Sequence, residues 1–206
     1  MIETADGVVL EGVWSSPVGD AAGCVVFCHP HPLDGGTMNA PLMRGVAKAL
    51  AASGLWVLRF NFRGVGASQG TWGGGSGEVL DVAAAVALAS ATHPGLPLGV
   101  MGWSFGASVS LSWQAETGST LPWAGIAPGI RPYRGAAAPD PMHLAAGRRL
   151  IVIGDRDQFA SIDEIKAYAA VFGADVAVLT GSDHFFLLRE SRVGALVATH
   201  LGGRAI

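Results

Sequence analysis

Along the 206-residue chain, apolar residues collect in short unbroken runs, and segments of helical spacing lie between them. Four such runs are Gly23-Cys24-Val25-Val26-Phe27-Cys28-His29, Leu55-Trp56-Val57-Leu58-Arg59-Phe60, Pro97-Leu98-Gly99-Val100-Met101 and Arg149-Leu150-Ile151-Val152-Ile153. They lack the polar alternation of a half-exposed strand, which predicts strands buried on both faces. Val8 to Trp14 predicts an antiparallel edge strand, and Leu121 to Ala127 and Asp175 to Leu179 predict two more strands. Helices are expected from a cap at Asn39, with Pro41 in the first turn, to about Ser53, and from Glu78 to about Thr92. Others are expected from Ala107 onward, from Ser161 to about Phe172, and from His184 to about His200. The stretch from Pro128 to Ala146 carries Pro128, Pro132, Pro139 and Pro141 and is expected to be irregular. Strands alternating with helices predict one α/β domain over residues 1–206, with a mostly parallel sheet covered on both faces. In such a sheet, chemistry belongs to the loops at the carboxyl ends of the strands.

One junction stands out. The run ending at Met101 meets a helical segment beginning at Ala107, and Gly102-Trp103-Ser104-Phe105-Gly106 lies between them. This matches the pattern G-x-S-x-G, in which a strand turns at once into a helix and lifts the serine clear of the sheet. With 30 glycines in the chain the pentapeptide alone could arise by chance, so its placement and its partners carry the weight. A serine hydroxyl needs a base, and the base needs a carboxylate to fix its tautomer. His184 follows the last strand in Gly181-Ser182-Asp183-His184, and Gly154-Asp155-Arg156-Asp157 follows the strand before it. Asp157 lies further into its loop and can reach across, whereas Asp155 is suited to bonding backbone N–H groups of its own turn. The order Ser104, Asp157, His184 is the one this turn type uses.

An oxyanion needs preorganised donors. The N–H of Phe105, at the helix start, is one candidate. The second should come from the loop His29-Pro30-His31-Pro32-Leu33-Asp34-Gly35-Gly36, where proline has no N–H and His31 is the donor between two prolines. His29, His31 and Asp34 also raise a rival metal site, although no third ligand has convincing spacing. His93, His143 and His200 are expected to be structural. Leu33, Trp103, Phe159 and Phe185, with Met38 and Phe105, are candidates for an apolar substrate wall.

Taken together, these segments resemble the small bacterial α/β-hydrolases of the esterase and dienelactone-hydrolase-like group. The resemblance rests on His29-Pro30-His31-Pro32 with Gly35-Gly36, Phe60-Asn61-Phe62-Arg63-Gly64-Val65-Gly66-Ala67-Ser68, Gly102 to Gly106, Gly154-Asp155-Arg156-Asp157 and Asp183-His184-Phe185-Phe186. It implies an α/β-hydrolase fold, Ser104 as nucleophile, Asp157 as acid, His184 as base, an acyl-serine intermediate and no cofactor. Pro30 departs from the glycine many relatives carry there. Dienelactone hydrolases proper use cysteine, so Ser104 argues against that activity. The glycines after Arg63 fail the dinucleotide spacing, since Gln69 stands where a third glycine is required. Arg63 is expected to make structural hydrogen bonds, with an acidic substrate group as the alternative.

The remaining features narrow the class. Hydrophobic residues make up 50% and charged residues 14%, and the net charge of −3 gives no electrostatic reason to expect nucleic acid. No apolar run approaches the length of a membrane span, and the acidic N-terminus lacks a signal pattern. Cys24 and Cys28 lie four apart in one strand, roughly 13 Å, too far for a disulfide. Two buried thiols suit a reducing cytoplasm. The low charged fraction leaves room for an exposed apolar patch and hence for a homodimer. The proline-broken segment 128–146 is too short for a cap, so an open, shallow site for small acyl esters is expected. Two other functions use the same features: an acyltransferase or thioesterase with this triad, and a catalytically silent binding protein.

Overall fold

The computed structural model describes residues 1–134 and 136–203. Seven strands form the main sheet: β3 (Gly12–Ser15), β4 (Gly23–Cys28), β5 (Leu55–Phe60), β6 (Leu98–Trp103), β7 (Trp123–Ile126), β8 (Arg149–Gly154) and β9 (Asp175–Leu179). A separate two-residue hairpin pairs β1 (Ile2–Glu3) with β2 (Val9–Leu10). The segment Val8–Trp14 therefore does not form one strand. Its first part joins this hairpin, and only β3 runs antiparallel along the edge of β5.

The sheet order is β3-β5-β4-β6-β7-β8-β9, parallel from β5 to β9. Every residue of β4 and of β8 is buried, as unbroken apolar runs require. Helices α1 (Pro41–Ala52) and α5 (Glu190–His200) pack as one pair, and α2 (Ser76–Thr92) and α3 (Phe105–Thr117) as another. Helix α4 (Ile162–Phe172) starts on a capping box in which Ser161 and Glu164 exchange bonds. This is the α/β-hydrolase fold without a separate cap.

The chain leaves β4 toward β5 on one side and then returns to place β6 on the other. The loops after β4 and β6 therefore diverge from a topological switch point, where open α/β sheets place their ligands. Register brings the strand ends level there, with Cys28 opposite Gly102, Gly102 opposite Gly125, and Gly154 opposite Leu179.

Helices α2 and α3 each start two residues earlier than expected, and the starts of α1 and α5 differ in their chemistry. Helix α1 is preceded by Ala40 without a side-chain cap, while the Asn39 N–H turns to the Thr37 hydroxyl. Pro41 has no N–H to satisfy, which lessens the need for a cap. Helix α5 begins at Glu190 rather than His184. The Asp183 carboxylate accepts the N–H groups of Phe185 and Phe186, and Phe186 and Leu188 take left-handed φ values of 51° and 59°. These local bonds outcompete a helical turn and leave His184 in a loop.

Candidate active site

Strand β6 passes into helix α3 through a single residue, Ser104, with φ 53° and ψ −118°. A non-glycine residue held there stores strain of roughly 1–3 kcal/mol, which the surroundings must over-determine. They do so here. The Ser104 N–H donates to Ile126 O at 2.8 Å, and its carbonyl accepts from Ala107 and Ser108 at 3.0 and 3.1 Å. A Cβ on Gly102 would overlap the backbone of Gly106, and one on Gly106 would overlap the Cys28 carbonyl. The two flanking glycines let the turn close on itself and on β4.

Asp157 and His184 meet across the gap between two loops. His184 Nδ1 lies 2.8 Å from Asp157 Oδ2. The other carboxylate oxygen accepts from the N–H groups of Phe159 and Ala160 at 2.8 and 3.1 Å. Burial opposes ionisation of Asp157, whose side chain is 1% exposed. The hydrogen bond from His184, with the two N–H donors, outweighs this and holds the carboxyl below its ordinary range. His184 is itself fixed by its backbone, since its N–H donates to Gln158 Oε1 and its carbonyl accepts from Trp103 Nε1. Asp155 bonds the Gly181 N–H at 2.7 Å and ties the two loops together, rather than closing its own turn.

The loop after β4 carries the other two histidines. His29 is fully buried, its Nδ1 donating to Pro30 O at 2.6 Å and its Nε2 accepting from the Phe62 N–H at 3.0 Å. Both ring nitrogens are thus engaged by backbone, which leaves the His-x-His spacing without a first metal ligand. Burial lowers the His29 imidazole to about 4. The His31 imidazole accepts from the Leu33 N–H at Nδ1, so its proton is assigned to Nε2, which is buried and unpartnered. Burial pushes His31 below the ordinary histidine range, against the pull of the Asp34 charge. Among the described residues, neither the His31 nor the Phe105 backbone N–H has an acceptor within the protein.

Ser104, Phe105, His31, Asp157 and His184 all line one cavity of about 540 Å³. The Ser104 hydroxyl makes no hydrogen bond among the described residues, so it and His184 share the cavity without a hydrogen bond between them. Such bonds are commonly long in unliganded enzymes and tighten with substrate. Trp103, Phe159 and Phe185 also line the cavity. Leu33 does not; it is 49% exposed on the outer side of a short 3-10 turn, and Met38 is buried in the core. Arg63 is away from the cavity, clamped between Asp81 and Asp6 with four bonds of 2.8 to 3.2 Å. His93 lies between Trp14 and Trp56, and His200 bonds the Trp123 carbonyl. Ile130, Tyr133, Ala136 and Ala137 of the proline-rich segment also line the cavity. No periodicity in that segment points to the cavity; only its position after β7 places it near a strand's carboxyl end.

A serine on a strand–turn–helix junction at a switch point, sharing a cavity with a carboxylate-bound histidine, fits an α/β serine hydrolase. Comparison with known proteins gives the family: residues 19–158 match the hydrolase family described as serine aminopeptidase, S33, and the chain belongs to it. An α/β serine hydrolase homologue from Coxiella burnetii superposes with a TM-score of 0.81 at 31% identity, covering 97% of this chain and 98% of that one. A lidless α/β serine hydrolase from Xanthomonas campestris superposes at 0.78 with 25% identity, covering 97% and 93%. An uncharacterized protein of Rickettsia prowazekii is 28% identical over 204 residues, 93% of this chain and 84% of its own.

Proposed function

We propose that this hydrolase cleaves carboxylic esters through an acyl-serine intermediate, with Ser104 as nucleophile, His184 as general base and Asp157 as its orienting acid. The observation that carries the reading is the 2.8 Å bond from His184 Nδ1 to a buried Asp157 carboxylate. With that acceptor the imidazole proton belongs on Nδ1, and Nε2 is left as a lone pair for the cavity shared with Ser104. Ser104 Oγ attacks the ester carbonyl while its proton passes to His184 Nε2. The carbonyl oxygen becomes an oxyanion and takes the free N–H groups of Phe105 and His31. His184 then protonates the departing alcohol, and a water molecule, activated by the same imidazole, releases the acid.

Esters fit better than peptides with a free amino terminus. The cavity's carboxylates are Asp34, paired with Arg134 at 3.2 Å, and Asp157, paired with His184. Among the described lining residues, this leaves no carboxylate unengaged to hold an ammonium group. The test is a fluorophosphonate, which should label wild-type protein at Ser104 and leave Ser104→Ala unlabelled, beside a p-nitrophenyl ester assay in which only the wild type turns over. Ester turnover that survives in Ser104→Ala would sink the reading. Product appearing on added alcohol or amine faster than on water would redirect it to acyl transfer.

A further inference from the structure

The rings around the cavity fall into two sets. His31 packs against Phe105 and Tyr133, with centroids 5.0 and 5.4 Å away. His184 packs against Phe159, Phe185 and Trp103, at 4.6, 5.6 and 6.2 Å. No ring belongs to both sets.

The ester chemistry proposed above assigns a substrate half to each set. His184 must reach the oxygen of the departing alcohol to protonate it, so the alcohol lies at the His184 end. The acyl carbon is bonded to Ser104 Oγ, and its oxygen points at the N–H groups of Phe105 and His31. The acyl chain is the carbon's remaining substituent, so it points away from the departing alcohol and hence from the His184 end. On the other side of the cavity Tyr133, whose ring packs against His31, is a lining residue, and Ile130 of the same segment after β7 also lines the cavity.

Polar contacts fix Tyr133 at the cavity. Its hydroxyl accepts from Arg134 Nε at 3.1 Å and lies 3.5 Å from Asp34 Oδ1, while Arg134 pairs with Asp34 at 3.2 Å. Asp34 belongs to the loop that carries His31, so the ring is tied to one of the two oxyanion donors. We propose that Tyr133 is the specificity-determining residue for the acyl group, its ring forming the wall that limits acyl length. The assignment rests on the esterase reading.

Two ester series test it: p-nitrophenyl acetate to octanoate, which varies the acyl chain, and alkyl acetates from methyl to octyl, which vary the alcohol. Tyr133→Ala should raise the octanoate-to-acetate ratio of kcat/KM by about tenfold and leave the alcohol series within about twofold. Tyr133→Phe keeps the ring and should stay within about threefold of wild type in both series. Ile130→Trp, which adds bulk to the same wall, should lower the octanoate ratio, so the assignment does not depend on one variant folding. Phe185→Ala should move the alcohol series instead. An alcohol-series shift in Tyr133→Ala, or equal shifts in the Ala and Phe variants, overturns the assignment and leaves the esterase reading standing. Absence of any Ser104-dependent turnover overturns the esterase reading first and this assignment with it.

Discussion

Two histidines face one cavity, and the partner on Nδ1 sets what each can do. At His184 that partner is a carboxylate acceptor, so Nδ1 carries the proton and Nε2 is free to receive one. At His31 it is the Leu33 N–H, a donor, so Nδ1 is the lone pair and Nε2 already holds the proton. His31 cannot take a proton from a serine at its free nitrogen. Two side chains of one type in one pocket are thus divided, by the groups on Nδ1, into one whose free ring nitrogen is an acceptor and one whose free ring nitrogen is a donor.

The sharpest way to break this comparison is to delete each ring. His184→Ala should lower kcat for a p-nitrophenyl ester by about 10⁴-fold or more, while His31→Gln, which keeps the backbone N–H, should lower it by no more than about tenfold. Equal losses in stopped assays at matched protein concentration would mean that the roles are not separated as described.

A smaller but still large effect is expected at the carboxylates. Asp157→Asn removes the acceptor that fixes the His184 tautomer and should cost kcat on the order of 10³–10⁴-fold. Asp155→Asn touches only the Gly181 N–H and should cost less than about tenfold, with some loss of thermal stability. Steady-state rates of both variants at pH 8 decide the matter, and a larger loss in Asp155→Asn would exchange the assignment.

Much of this was legible along the chain because it depends on short-range physics. The buried strands announced themselves as unbroken apolar runs, and the turn at Ser104 followed from two glycines whose Cβ positions are occupied by backbone. Reach from the end of β8 pointed to Asp157 beside His184, but it misplaced Asp155, which bonds the Gly181 N–H of the next loop rather than its own turn. What escaped was set by long-range or competing contacts. Phe185-Phe186-Leu187-Leu188 has the apolar content of a helix start, yet the Asp183 carboxylate takes its first N–H groups and left-handed residues interrupt it. The Tyr133 wall has no local signature at all. It depends on Asp34, 99 residues away.

A third histidine extends the contrast from chemistry to stability. His29 sits beside the same loop, but its Nε2 accepts from the Phe62 N–H and its ring is buried, so the folded state keeps it neutral. Its imidazole is lowered from 6.5 to about 4. Between these values the unfolded chain binds a proton that the folded protein refuses, so stability rises with pH there. The His29 contribution is complete above pH 6.5 and is lost as pH falls toward 4. Its size is on the order of 3 kcal/mol, since each tenfold loss of proton affinity on folding is worth about 1.4 kcal/mol. Glu78 and Asp81 act in the opposite sense, because burial raises both carboxyls. The comparison that isolates His29 is therefore between wild type and His29→Gln, whose amide can still accept from Phe62 but does not titrate. Urea unfolding at pH 7 and pH 4.5 should show a steeper loss in the wild type than in the variant. Parallel losses would mean that the His29 ring ionises as readily inside the fold as outside it, and that burial is not what keeps it neutral.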